Sequence, residues 1–277
     1  MKTKQISIVV AVIALMGILL VQPIKGLVGT KKEETTSSSA SSEQVNLETE
    51  FTRNKKGLNP TLIAEIEELE KTYRNASSDS EKETALQTLA SKWDDLNKWS
   101  PLGFTREEIA KIQKTAVSWI EAGDAYREAY TNLQDTLVVR HLQQYAISAY
   151  QNALDLDADN LDAKTGLGST YVVGTTNPMA GITLLQEVVK ANPDHIEANK
   201  SLGLFSMQSK QFDKAIERFN KVISLQPDAA SYFYLATSYE NIGLKTEAIN
   251  AFERSKQMAA DPSLTQFIDR KIAELKN

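Results

Sequence analysis

The sequence predicts an all-α protein: four or five helical hairpins stacked into a solenoid, a C-terminal capping helix, and one N-terminal transmembrane helix. Three observations favour this fold class. A pattern recurs about every 34 residues, small residues recur at fixed places within it, and there are only seven prolines and twelve glycines in 277 residues. A period of this length is typical of helical repeats. Because one hairpin cannot cover its own apolar face, several must stack.

Residues 1–30 predict a membrane anchor. Two lysines precede an apolar run over residues 6–21. Sixteen helical residues span about 24 Å, and an extension to Val28 reaches the ~30 Å of a bilayer core. A cleaved signal peptide is the alternative, but no candidate cleavage site has the required small-residue pattern. We therefore expect an uncleaved anchor.

Two segments separate the anchor from the repeats. Residues 31–57 are rich in Ser, Thr and Glu, and such a composition predicts a disordered tether. Residues 58–83 predict an N-terminal helix with Leu62 and Ile66 on one face. Its acidic run at residues 65–70 is interpreted as a solvated face, and a cation-attracting patch is the alternative.

Each repeat unit is marked by two small residues and one large apolar residue. The first small residue is followed twelve or thirteen positions later by the second, and the large residue comes four positions after that. The clearest sets are Gly168, Gly181 and Leu185, then Gly203, Ala215 and Phe219, then Ala236, Ala248 and Phe252. Small residues allow two antiparallel helices to approach closely, and the large residue fills the gap towards the next unit.

This pattern divides the body of the chain into successive units. They are a degenerate unit at 84–115, a unit with an insertion at 116–160, three regular units at 161–195, 196–229 and 230–262, and the capping helix at 263–277. In the second unit, 23 residues separate Gly123 from Ala146 where twelve are usual. Either lengthened helices or a larger loop would account for the insertion.

These residues resemble the tetratricopeptide repeat (TPR) family. Trp119, Ala122, Gly123 and Tyr126 match its W-x2-[LA]-G-x2-Y spacing. The layout is similar to uncharacterised single-span TPR proteins of the Bacteroidota. The resemblance implies membrane attachment and binding of a protein partner, without known catalysis. It also implies a bacterial inner-membrane location. The basic N-terminus favours a periplasmic body, while nearly balanced flanking charges leave a cytoplasmic body as the alternative.

The resemblance further implies a concave groove lined by positions 2, 5, 9, 12 and 13 of each first helix. The candidate groove residues are Val117, Ile120, Asp124, Arg127, Thr165, Ser169, Val172, Lys200, Leu204, Met207, Gln208, Phe233, Thr237, Glu240 and Asn241. Family members that bind a chain-terminal carboxylate use Lys at position 5 and Asn at position 9, and that pattern is not met. The mixed apolar list favours a peptide segment or an amphipathic helix of a partner. Alternatively, the protein's own N-terminal or capping helix covers part of this stripe.

Composition limits other function classes. The net charge of −5 disfavours a nucleic-acid surface. Cysteine is absent and the two histidines are far apart, so we expect no cofactor, no metal and no catalytic site. His141 and His195 are interpreted as surface or capping residues, and Gly166-Leu167-Gly168-Ser169 as helix packing. The sequence thus favours an interaction scaffold. An envelope chaperone or secretion accessory factor that binds unfolded clients is the alternative.

Overall fold

The computed structural model describes residues 45–174 and 177–276. The predicted anchor and the first part of the predicted tether lie outside these residues. Within the described ranges the chain forms thirteen α-helices and no β-strand. No helix of this part is both long enough and apolar enough to cross a bilayer.

The helices follow one another with short connections. They are α1 (Leu47–Lys55), α2 (Pro60–Asn75), α3 (Asp79–Asp95), α4 (Trp99–Gln113), α5 (Ala116–Thr131), α6 (Thr136–Leu156), α7 (Leu161–Gly174), α8 (Pro178–Ala191), α9 (Ile196–Gln208), α10 (Phe212–Leu225), α11 (Ala229–Asn241), α12 (Lys245–Met258) and α13 (Pro262–Lys276).

Successive helices pack as antiparallel pairs, and the pairs stack in sequence order. From α2 to α13 each helix contacts the next along the chain. The first helices of successive pairs also contact one another, so α5, α7, α9 and α11 form a continuous layer. The predicted all-α helical-hairpin solenoid is confirmed, and this layer of first helices provides the surface on which a groove can form.

Small residues set the close spacing within the pairs. A Cβ atom added at Gly181 of α8 would lie 2.3 Å from the carbonyl oxygen of Gly168 in α7. One added at Gly203 of α9 would lie 2.8 Å from the ring of Phe219 in α10. Both distances are too short for a real contact, so the glycines are required by packing. Phe219 then stacks on Tyr234 of the following pair, with ring centroids 5.4 Å apart.

The insertion in the second unit lengthens its helices. Helix α5 has 16 residues and α6 has 21, whereas α9 has 13 and α10 has 14. The connection between α5 and α6 stays short because Asp135 caps α6, accepting hydrogen bonds from the backbone N–H groups of Leu137 and Val138. The larger-loop alternative is therefore excluded, and α6 is the longest helix in the described part of the chain.

The last part of the predicted tether is a helix. Residues 47–55 form α1, and Asn46 caps it in a capping box with Thr49. Phe51 is 2% exposed and lies against Trp93, with ring centroids 5.4 Å apart. The hydroxyl of Tyr145 donates to the carbonyl oxygen of Val45 at 3.0 Å. The mostly polar composition of residues 31–57 predicted disorder, although a few apolar residues within them dock this helix on the rest of the chain.

The acidic run at residues 65–70 is only partly solvated. Glu70 is buried, and its carboxylate lies 3.1 Å from Nζ of Lys55 in α1. Glu65 accepts from Lys92 of α3 at 2.7 Å. The helical period places Glu70 on the same face as Ile66, which turns this acid inward. The interpretation of the whole run as a solvated face was wrong for Glu70.

The capping helix covers the end of the solenoid. Ile268 and Ile272 of α13 are buried in the core of the last pair. Phe267 lies 5.9 Å from the ring of Phe233 in α11. Lys271 donates to Glu240 of α11 at 2.9 Å. The alternative that the capping helix covers part of the predicted stripe is thus confirmed for α11.

Candidate peptide-binding groove

A cavity of about 310 Å³ lies between the first helices of three successive pairs, α5, α7 and α9. Its walls are mainly apolar, with two cationic side chains and one acidic side chain among them. The lining consists of Arg127, Tyr130, Thr131, Ser169, Val172, Val173, Glu197, Lys200, Ser201, Leu204, Phe205 and Gln208. We call this space the groove cavity.

Six of the fifteen predicted groove residues lie in the groove cavity. They come from all three helices and share one face of the first-helix layer. These are Arg127, Ser169, Val172, Lys200, Leu204 and Gln208. The cavity thus forms where the helical period of each first helix presents its position 5, 9, 12 or 13 to the same side.

Other predicted residues belong to the packing of the helices. Ile120 packs against the core around Tyr126, and Met207 packs against the core around Phe219. Thr165 is buried, and its hydroxyl donates to the carbonyl oxygen of Leu161 at 2.7 Å. These three positions were predicted from the family numbering, but they contribute to helix packing and do not line the cavity.

The predicted residues of α11 lie at the covered end. Phe233 and Glu240 contact α13. Thr237 donates to the carbonyl oxygen of Phe233 at 2.9 Å, and Asn241 donates to that of Thr237 at 2.8 Å. Val117 is exposed at the start of α5 but does not line the cavity. These residues are therefore separate from the groove cavity.

Six lining residues are absent from the predicted set. Val173 and Glu197 occupy family positions 13 and 2, whereas the other four lie outside the positions that the family numbering supplies. Tyr130 and Thr131 occupy the last turn of the lengthened α5, beyond the positions that the family numbering supplies. Ser201 and Phe205 of α9 lie one position beyond Lys200 and Leu204. The insertion in the second unit was the available signal, since longer helices extend the groove wall.

Polar side chains in and beside the groove cavity form two separate hydrogen-bonded groups. Oδ1 of Asp124 accepts a hydrogen bond of 2.7 Å from the hydroxyl of Tyr150 and a longer one of 3.3 Å from Nη2 of Arg127. The hydroxyls of Ser169 and Ser201 lie 2.7 Å apart and link α7 to α9. Arg127 thus shares its only described acceptor with a tyrosine.

Lys200 is the second cation. Its Nζ lies 3.3 Å from Glu197 and 3.4 Å from Asp228. Burial lowers the pKa of Lys200, but these two carboxylates outweigh that effect and the pKa is raised. Lys200 is therefore charged at neutral pH and places positive charge at the edge of an apolar surface.

A larger depression of about 640 Å³ lies between α11 and α12. It is shallow and open, and five of its eight lining residues are Glu, Asn, Arg or Gln. A polar, open surface offers little apolar area to a partner, whereas binding sites are typically concave and mostly apolar. The groove cavity is the better candidate.

Two sequence features that resembled possible sites have packing or capping roles. His195 caps α9, because its Nδ1 accepts from the backbone N–H of Ala198 at 3.3 Å while Nε2 faces Asp162 at 3.2 Å. A Cβ added at Gly166 would lie 2.2 Å from the ring of Tyr150. The glycine therefore makes room for that ring.

Comparison with known proteins agrees with the repeat pattern and the helical fold. A family model described as tetratricopeptide repeat matches residues 170–230 and 206–264. The fold of a tetratricopeptide repeat protein from Parabacteroides merdae ATCC 43184 matches with a TM-score of 0.57 and 16% identity, covering 83% of this chain and 85% of that one. The family model thus identifies TPR repeats within residues 170–264, and the solved structure shows the same fold. Residues 170–264 are about a third of the chain.

Two further proteins are similar to this chain over much of its length. A thermophilic TPR protein of Thermus thermophilus, TTC0263, matches with a TM-score of 0.53 and 14% identity over 70% of this chain and 98% of that one. Superkiller protein 3 of Schizosaccharomyces pombe is 25% identical over 153 residues, which is 52% of this chain. The chain spans 11% of the length of that relative. TPR proteins mediate protein–protein interaction and are generally not enzymes.

Proposed function

We propose that this TPR protein is an interaction scaffold that binds a peptide segment or an amphipathic helix of a partner in the groove cavity. The apolar surface that faces the groove is the observation that carries the proposal. Val173 is 72% exposed and Leu204 is 42% exposed, and both line a concave space. Concave, mostly apolar surfaces with a few placed polar groups are typical of binding sites.

A substitution in the groove tests this proposal. Leu204→Lys should weaken binding of a partner without unfolding the chain, because the side chain is already partly in solvent. Leu225→Lys is the matched control, since Leu225 is 39% exposed on α10 and lies outside the cavity. The full chain is crosslinked in cells, and the yield of each crosslinked partner is compared between the variants. A partner retained by Leu204→Lys and lost by Leu225→Lys would contradict a groove site.

The same experiment distinguishes a scaffold from a chaperone. A scaffold gives one partner in a fixed ratio to the chain. An envelope chaperone or secretion accessory factor gives many weak crosslinks to unfolded clients. Both use the groove, so both should depend on Leu204.

We also propose that residues 1–30 tether the chain to a bacterial inner membrane and place its repeats in the periplasm. The apolar run that follows two lysines supports this proposal. Alkaline phosphatase fused after Asn277 should be active in intact bacteria, since the enzyme matures only outside the cytoplasm. Fluorescence of a fused fluorescent protein that folds only in the cytoplasm would instead show that the repeats face the cytoplasm. Recovery of the full-length chain in the soluble fraction, and not with the membranes, would contradict the tether.

A further inference from the structure

The guanidinium of Arg127 is incompletely hydrogen-bonded. Arg127 lines the cavity, and its Nε atom is buried without a hydrogen-bond partner in the part of the chain that the structure describes. A guanidinium carries five N–H donors in a rigid fork. Nε itself is enclosed, but the side chain of Arg127 is 28% exposed, so an acceptor in the cavity would bond the outer N–H groups of the guanidinium.

The neighbouring acid leaves Arg127 incompletely paired. Oδ1 of Asp124 lies 3.3 Å from Nη2 of Arg127, at the long end for a charged pair. The same oxygen accepts the shorter bond of 2.7 Å from Tyr150. Asp124 is therefore divided between two donors, and the guanidinium keeps hydrogen-bonding capacity for a second carboxylate.

The remaining lining defines what surrounds that carboxylate. Val172, Leu204 and Phe205 supply apolar walls. Lys200 adds a second positive charge and Glu197, which lies 3.3 Å from it, adds one negative charge, so the lining keeps one net positive charge. An apolar segment with one negative charge is complementary to this surface.

We infer that the occupant of the groove cavity is an apolar segment of a partner protein with one Asp or Glu side chain, whose carboxylate is bound by Arg127. This inference rests on the proposed function and specifies the chemistry of the partner. A side-chain carboxylate fits better than a chain terminus. Position 9 of the three bordering helices holds Asp124, Ser169 and Leu204, so the amide donor that a terminal carboxylate requires at this position is absent.

Synthetic peptides supply the test. Three fluorescein-labelled, C-terminally amidated helical peptides share one Leu/Val face and differ only at its central residue, which is Glu, Gln or Lys. Their dissociation constants for the full chain are measured by fluorescence anisotropy. The Glu peptide should bind about tenfold more tightly than the Gln peptide, as expected for hydrogen bonds to a charged group. The Lys peptide should bind most weakly.

Variants locate the preference at Arg127. Arg127→Met retains an unbranched apolar stem and should bring the Glu and Gln peptides to equal affinity. Arg127→Glu should favour the Lys peptide. Arg140→Met is the control, because Arg140 is exposed on α6 and does not line the cavity. It should keep the tenfold preference. If Arg127→Met fails to fold, as seen by circular dichroism, the comparison of peptides on the unmodified chain still decides the inference.

The outcomes separate this inference from the proposed function. Equal binding of the Glu and Gln peptides to the unmodified chain overturns the acidic specificity and leaves a peptide-binding groove. Failure of all three peptides to bind overturns both. A Gln peptide with a free C-terminal carboxylate should bind no better than its amidated form, and tighter binding would overturn the assignment to a side chain.

Discussion

At the scale of single residues, the smallest side chains determine how closely the helices pack. Gly203 faces the ring of Phe219, and Gly168 and Gly181 face each other's backbone. Ala215 is fully buried among the aromatic side chains of the last two pairs. Protein interiors are packed to the density of crystals, so a larger residue at these places has no room.

Ala215→Leu should therefore destabilise the chain. The added methyl groups would overpack α10 against its neighbours, at a cost of about 1–3 kcal/mol. Urea unfolding measures the loss as a lower midpoint. Ala230→Leu is the control because Ala230 is exposed near the start of α11, and it should change stability by less than about 0.5 kcal/mol. Unchanged stability of Ala215→Leu would contradict the close approach.

A second residue-scale prediction concerns Asp228, which caps α11. Its carboxylate accepts bonds from the backbone N–H and the hydroxyl of Ser231, at 2.8 and 2.7 Å. Burial raises the pKa of Asp228, but the bonds from Ser231 and the charge of Lys200 outweigh it, and the pKa is lowered. A lowered pKa in the folded state means that the stabilisation is present above the unfolded value near 4. It is lost as pH falls below that value.

Two substitutions separate the cap from its charge. Asp228→Ala should cost about 1 kcal/mol at pH 7 through loss of the cap. Asp228→Asn retains a capping oxygen, so it should cost less at pH 7, and its stability should fall less steeply between pH 5 and pH 3 than that of the unmodified chain. Thermal unfolding across this pH range is the measurement. Identical pH profiles of Asp228→Asn and the unmodified chain would show that Asp228 does not contribute.

At the scale of helices, the repeat period identified most of the fold, because each pair repeats the same packing problem. Helix α1 could not be predicted in the same way. It lies within residues 31–57, whose composition predicted a disordered tether, and it is fixed by a few long-range contacts, such as Phe51 with Trp93. The groove was predicted in part. The family numbering identified six of the residues that line the groove cavity. It did not identify Tyr130, which reaches the cavity only because α5 is lengthened.

The docking of α1 gives a prediction at this scale. Phe51→Ala should destabilise the chain by about 3–5 kcal/mol, since it empties a buried aromatic site. Thr52→Ala is the control, because Thr52 is exposed on the same helix. Urea unfolding of both variants decides between a docked helix and a disordered tether. A disordered tether predicts equal stability for both.

At the scale of the whole solenoid, each pair contacts mainly its neighbours, so stability is distributed along the array. The two ends are closed differently. Helix α1 docks on the first pairs, and α13 covers α11 through Phe267 and Lys271. The groove cavity lies between these closed ends, where α5, α7 and α9 keep an apolar face open. On α11 the corresponding face is not open, because α13 of the same chain packs against it.

Removal of α13 should therefore loosen the C-terminal pair and leave the groove intact. Truncation after Ala260 exposes Phe233 and the core in which Ile268 and Ile272 are buried. Hydrogen exchange should then lose protection in α11 and α12 first, because a solenoid unfolds from its weakest end. Protection of α5 and α7 should stay unchanged, as should the affinity for a groove-binding peptide. Uniform loss of protection across all helices would instead show one cooperative unit, in which closing the end is necessary for the groove itself.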